Sequence, residues 1–246
     1  MNKQLGFSLV EIMIALLIGL FLLEGILQMF SASQQTYRMQ SNLARLQENG
    51  RFALDFLARD IRMASYWGCM SSSTGDISGT EGALNGPDSI SIQAVFVLIP
   101  TGTCGSPVNA VNSCGAVNCY TDLTSTITYT ISTPTATVSS PNPNITLYRN
   151  TNNVSNPLIE GIQNMQVLYG VDSDGDGSAN KYVPANNVAN MLQVVSVRIS
   201  LLVATLDDYL TTQPMVYTYN GVTTTPTDHK IRRVFNTTIA LRNHLL

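Results

Sequence analysis

The sequence predicts an α+β protein: a long N-terminal α-helix, its first half transmembrane, packed on a large antiparallel β-rich head. Three observations predict it. An apolar run close to the N-terminus is long enough to cross a bilayer. A proline-free amphipathic stretch continues that run. Beyond it, helical periodicity gives way to period-two alternation with Ser, Thr, Asn, Gly and Pro in the linkers. With 246 residues and 44% hydrophobic content the chain can bury a real core. Charged residues make up 12%, against about 25% in ordinary soluble domains. The net charge is −3, and neither Lys nor Arg occurs between Arg62 and Arg149. A direct nucleic-acid binder needs a clustered basic face, so that class is excluded. Two histidines, His229 and His244, leave little room for a histidine-based triad or metal site.

At the N-terminus Lys3 precedes the apolar run and orients the segment with its start in the cytoplasm. Phe7 to Phe30 is about 24 residues, or about 36 Å of helix, enough to span a membrane. An ordinary secretory signal cleaved near Ser31-Ala32-Ser33 is the plainer alternative. Glu11 argues against it, because a carboxylate inside an apolar span costs about 2–3 kcal/mol on insertion scales and needs a purpose.

The string Gly6-Phe7-Ser8-Leu9-Val10-Glu11, followed by apolar residues, resembles the class III signal of type IV prepilins and pseudopilins. The resemblance implies that a prepilin peptidase cuts between Gly6 and Phe7 and methylates Phe7 as the new first residue. It makes residues 1–6 a leader and residues 7–30 the transmembrane and filament-core helix, and it places Glu11 fifth in the mature chain. Physical chemistry supplies a reason for the combination. Cleavage leaves an ammonium at Phe7 in a lipid setting, and Glu11 of a neighbouring subunit can neutralise it, so that two charges intolerable alone offset each other. Glu11 is then an assembly residue. Glu24, 17 residues or about 26 Å of helix beyond Phe7, falls near the far membrane face.

From Ser31 to Ala64 there is no Pro and one Gly, Gly50. Leu43, Leu46, Ala53, Leu57 and Ala64 recur at helical spacing, with Gln47, Glu48, Arg51 and Arg59 off the stripe. Residues 31–66 therefore read as a periplasmic amphipathic continuation of the same helix. Phe52, Phe56 and Ile61 widen its apolar face, and Gly50 marks a break; both favour docking on a head over a plain coiled-coil stalk.

Residues 67–246 form the head. Ile90, Ile92, Ala94 and Phe96 share one strand face; so do Ile127, Tyr129 and Ile131; Ile145 and Leu147; Met165, Val167 and Tyr169; and Phe235, Thr237, Ile239 and Leu241. Val195, Val197, Ile199, Leu201 and Val203 alternate with Ser196, Arg198 and Ser200 in the strongest example. These are half-buried antiparallel strands. Three stretches, the Trp67-Gly68-Cys69 corner, Gln163 to Gly170 leading into an aspartate-rich loop, and Arg232 to Thr238 ending in Leu241-Arg242-Asn243, are similar to the PilW-type minor pilins, relatives of the J-type pseudopilins.

Cys69, Cys104, Cys114 and Cys119 are an even set in a segment that the N-terminal signal places outside the inner membrane, where two disulfides are the default; three pairings remain open. A zinc site is the alternative, but no Cys-x-x-Cys pair is present. In the loop Asp172-Ser173-Asp174-Gly175-Asp176-Gly177-Ser178-Ala179-Asn180, carboxylates at alternate positions and a sixth-position glycine reproduce the first half of a calcium loop. Asp172, Asp174, Asp176, Ser178 and Asn180 are its candidate ligands for Ca2+. The twelfth position is Val183 instead of a bidentate Glu, so the remaining oxygens would come from elsewhere, Asp207 or Asp208 included. A solvated Asp-Gly turn is the plainer reading.

The expected function is that of a minor pilin, a non-catalytic structural subunit. The resemblance implies a role in priming type IV pilus assembly and a place at the pilus tip, with indirect support for twitching, adhesion or DNA uptake. Its expected partners are other minor pilins, the major pilin, the prepilin peptidase and a large tip adhesin. Before assembly it resides in the inner membrane with a periplasmic head, and afterwards in the pilus at the cell surface. A type II secretion pseudopilin and a calcium-dependent adhesin head are the alternatives. No phosphate-binding Gly-x-x-x-x-Gly-Lys-Ser/Thr loop occurs, so any motor is another protein. No base–nucleophile spacing suggests an enzyme.

Overall fold

The computed structural model describes residues 8–66, 77–83, 86–100, 120–132, 145–152 and 154–244, with backbone alone for 95–100, 120–124 and 244. One helix, α1 (Leu9–Arg62), runs for 54 residues. It opens on the Ser8 carbonyl, which accepts from the Glu11 and Ile12 N–H groups. An acid in the first turn (Glu11) and bases in the last (Arg59, Arg62) complement the helix dipole. The chain divides into two compact units, one up to Ala44 and one from Arg45 onward. The described part of the first is helix alone.

The second unit holds the rest of α1 and the strands. β1 (Ile77–Thr80), β2 (Ser89–Pro100), β3 (Tyr120–Ser132), β4 (Thr146–Thr151) and β5 (Val154–Glu160) form an antiparallel meander in that order. β6 (Ile162–Val171), β7 (Lys181–Val183), β8 (Val194–Ala204) and β11 (Arg232–Ala240) make a second antiparallel sheet, ordered β11-β8-β6-β7. Between β8 and β11 the hairpin β9 (Tyr217–Tyr219) and β10 (Val222–Thr224) turns through Asn220 and Gly221, both at positive φ (49° and 75°). An Asn-Gly pair is suited to that turn, since its backbone twist matches the flanking strands.

The core is where the alternating faces meet the helix. Leu46, Ala53, Leu57 and Ile61 of α1 are buried with Ile90, Ile92, Ile127, Tyr129 and Leu147 of the first sheet. Met165, Val167, Tyr169, Val197, Ile199, Leu201 and Val203 of the second sheet join the same cluster. Asp60, on the buried side of α1, fastens it to the first sheet. Its Oδ2 accepts from the Tyr129 hydroxyl at 2.6 Å and from Arg149 Nε at 2.8 Å.

Two expectations about the helix need correction. Gly50 does not break α1, which continues through it. The position is glycine because the Phe235 ring of β11 lies there: an added Cβ would come within 2.6 Å of its Cε2. Phe52 and Phe56 do not widen the buried stripe; they are 51% and 40% exposed, whereas Ile61 is fully buried. Leu46, Ala53, Leu57, Ala58 and Ile61 form the narrow stripe that a helix lying on a sheet requires.

Candidate functional site

Among the described residues, nothing covers the apolar part of α1. Leu9, Val10, Ile12 and Met13, and the large apolar residues on to Phe30, all stand more than half exposed. This stretch is long and apolar enough to cross a membrane. Leaving so much apolar surface in water is unfavourable at about 25 cal/mol per Å2, so lipid or other helices must cover it. Glu11, Ala15, Gly19 and Leu23 lie four residues apart and share one stripe, with Ile12, Leu16 and Leu20 beside it. A Cβ added at Gly19 would meet no atom within 4 Å. The stripe thus offers one exposed carboxylate followed by a shallow groove of small and aliphatic residues. Gly6 and Phe7 lie outside the described residues, and so do Cys69, Cys104, Cys114 and Cys119.

The aspartate loop joins β6 to β7 and is closed at its base by the Asn180 N–H donating to the Val171 carbonyl, 2.9 Å. Side-chain oxygens of Asp172, Asp174 and Asp176 all fall within 4.8 Å of one another. Glycines make this curl possible: Gly175 and Gly177 sit at φ +79° and +83°, which a side chain would resist. Asp172 organises the loop. Its Oδ2 accepts from Gly177 N–H at 2.8 Å, and its Oδ1 accepts from Gly175 N–H at 2.7 Å and Asp174 N–H at 3.2 Å. These donors, the Gly177 N–H first among them, hold the Asp172 carboxyl below its ordinary range. Asp176 Oδ1 accepts from Ser178 N–H, and Asn180 Nδ2 donates to Asp174 Oδ2 at 3.1 Å. All five candidate ligands are therefore in one loop. Val183, at the twelfth position, belongs to β7, and Asp208 is engaged elsewhere, accepting from the Tyr209 and His229 N–H groups at 2.7 Å each. A cluster of hard oxygens of this kind suits a cation such as Ca2+.

A third feature escaped the sequence reading. The face of the second sheet opposite the core carries a polar cleft of about 640 Å3, lined among others by Gln166, Arg198, Ser200, Asn220, Asn236 and Thr238. Register aligns them in rows: Gln166 opposite Ser200 opposite Asn236, and Leu168 opposite Arg198 opposite Thr238. Asn220 of the hairpin donates to Gln166 Oε1 at 3.0 Å and so fixes one wall. The Arg198 guanidinium lies 4.0 Å from the Tyr182 ring centroid. Gly170 permits this, because a Cβ there would collide with the Tyr182 ring. Two acids also line the cleft, and both are engaged. Asp88 accepts from Gly82 N–H at 2.9 Å and Val167 N–H at 2.8 Å; burial raises its carboxyl above the usual range, and those two bonds partly offset the rise. Glu81 accepts from Asn186 Nδ2 at 3.0 Å. The sequence signal was the single charge in the polar row Ser196, Arg198, Ser200; what it lacked was the register bringing Asn236 and Gln166 alongside.

Comparison with known proteins gives two family matches. Residues 128–243 match the model described as Type IV Pilus-assembly protein W, and residues 1–23 match the prokaryotic N-terminal methylation motif. Among solved structures, a type IV-like pilin from Thermus thermophilus is similar at 13% identity, covering 82% of this chain and 99% of its own, with a TM-score of 0.44. No curated protein sequence matches the chain.

Proposed function

We propose that this chain, which is a type IV pilin of the PilW type, acts as a non-catalytic minor subunit that helps prime assembly of the pilus and resides at its tip. The observation that carries the reading is the first half of α1: an apolar surface left uncovered by the described residues of its own chain, with one carboxylate, Glu11, at its start. Such a surface is stable in lipid or against like helices. Its acid gains a partner when the methylated amine of Phe7 on a neighbouring subunit lies beside it. Prepilin peptidase, other minor pilins and the major pilin are the partners this requires, with a tip adhesin beyond them. The head faces the periplasm before assembly and is carried to the surface afterwards.

The test is Glu11→Val. The variant should be processed and inserted normally yet fail to co-purify with the other pilins, and a gene deletion should remove surface pili. Co-purification at native levels would contradict the charge pairing. Normal pili with lost protein secretion would move the chain to the secretion pseudopilins.

The converging carboxylates of the aspartate loop favour one addition, Ca2+ held by Asp172, Asp174, Asp176, the Ser178 carbonyl and Asn180. Millimolar calcium should then raise the melting temperature of the full chain in detergent, and Asp174→Asn should abolish the rise. An unchanged melting temperature and no heat in calorimetric titration remove the ion.

A further inference from the structure

We propose that the polar cleft on the outer face of the second sheet binds a neutral saccharide, with Asn236, Ser200 and Thr238 supplying its hydrogen bonds. The inference lies in the head alone and goes beyond the pilin reading, which rests on the N-terminal helix.

Size sets the scale of the ligand. A volume of about 640 Å3 falls in the range of small-molecule sites, roughly 300–1,000 Å3. Its floor is a sheet face, where side chains form a grid: about 4.8 Å from strand to strand and about 6.8 Å between alternate residues of one strand. Peptide groups in a line are matched by a strand edge. A ring carrying hydroxyls in several directions is matched by a grid.

Charge disfavours an ion. One cation, Arg198, and two carboxylates, Asp88 and Glu81, line the cleft, so an anion meets the acids and a cation meets the guanidinium. All three are already occupied. Arg198 lies over the Tyr182 ring, both oxygens of Asp88 accept from backbone N–H groups, and Glu81 accepts from Asn186.

The neutral groups divide into fixed and free. Gln166 is fixed, since its Oε1 accepts from Asn220 Nδ2 at 3.0 Å and its Nε2 donates to the Gly86 carbonyl at 2.8 Å. On the same face of β8 the Ser196 hydroxyl is engaged with that of Tyr182 at 3.0 Å. By contrast, the Asn236 amide and the Ser200 and Thr238 hydroxyls have no hydrogen-bond partner among the described residues. Asn236 stands opposite Ser200, and Thr238 lies two residues further along β11. Each of these groups both donates and accepts, as a sugar hydroxyl does. Leu168 and Pro184, which also line the cleft, offer apolar surface to the C–H face of the ring. A rigid wall beside unengaged groups loses little freedom when a ligand binds.

The test is a printed array of neutral oligomers of glucose, galactose, mannose and N-acetylglucosamine beside sialylated and sulfated glycans. It is probed with the full-length chain in a zwitterionic detergent, because maltoside detergents are themselves saccharides. Neutral di- and trisaccharides that bind are then titrated by calorimetry. At least one neutral glycan should bind, and Asn236→Ala, Thr238→Ala and Ser200→Ala should each weaken it about fivefold, as expected for one lost hydrogen bond. Positions 236 and 238 are exposed and position 200 lies on another strand, so a variant that melts early leaves the others to decide. No binding to any neutral glycan, binding confined to acidic glycans, or native affinity in the folded variants overturns the proposal. Co-purification with other pilins is read separately, so none of these outcomes bears on the pilin reading.

Discussion

Asp60 shows how much rests on one buried carboxylate. It accepts two hydrogen bonds at a single oxygen from residues far apart in the chain, Tyr129 and Arg149, and each tightens the hold of the first sheet on α1. Removing it leaves Arg149 Nε without its acceptor and the Tyr129 hydroxyl with only the Phe56 carbonyl at 3.5 Å. Asp60→Ala should therefore cost about 3–5 kcal/mol, and Tyr129→Phe about 1.5–3 kcal/mol, by chemical denaturation. Losses within experimental error in both variants would contradict the anchor. Periodicity does not disclose such a cluster, because its members are 69 and 89 residues apart. The aspartate loop, by contrast, was legible, since all its groups are contiguous.

Acid sensitivity follows at the same scale. Hydrogen bonds from Arg232, at 2.6 and 2.8 Å, hold the Asp228 carboxyl below its ordinary range. A depressed pKa in the folded state means that the pair's stabilisation is present above the unfolded carboxylate range and lost as pH falls through the folded value. Asp88 runs the other way: its raised pKa means its ionisation opposes folding as pH rises. Asp228→Asn should thus flatten the loss of stability between about pH 5 and pH 2, read from urea midpoints. An unaltered slope would contradict the assignment.

At the scale of elements, the long strands were readable because each buries one face; β8, with Val197, Ile199, Leu201 and Val203 all fully buried, is the plainest. The short ones were not. β1, β7, β9 and β10 have three or four residues, too few for alternation to register, and β5 is polar and mostly exposed. Asn220-Gly221 was an available hairpin signal that short flanking runs obscured. Gly50 was misread for a related reason. A glycine in a helical pattern suggests a break when its neighbour is unknown, and its actual neighbour, Phe235, is 185 positions later in the sequence. Gly50→Val should force that ring aside and cost about 1–3 kcal/mol, despite valine's better helix propensity. A variant as stable as the native chain would show that the contact between α1 and β11 is loose.

For the whole molecule, the pilin family was legible at the N-terminus, where the methylation motif, the acid Glu11 and the apolar run stand together within about thirty residues of sequence. The head's contacts were less so, since the register that joins Arg198 to Asn236 and Gln166 exists only after folding. Everything proposed for assembly depends on an amine being set free beside Glu11. Intact-mass and N-terminal peptide spectrometry of the protein from cells with active prepilin peptidase tests this most directly. A chain beginning at an N-methylated Phe7 is the predicted result; a chain beginning near position 34, or one retaining Met1, would contradict it.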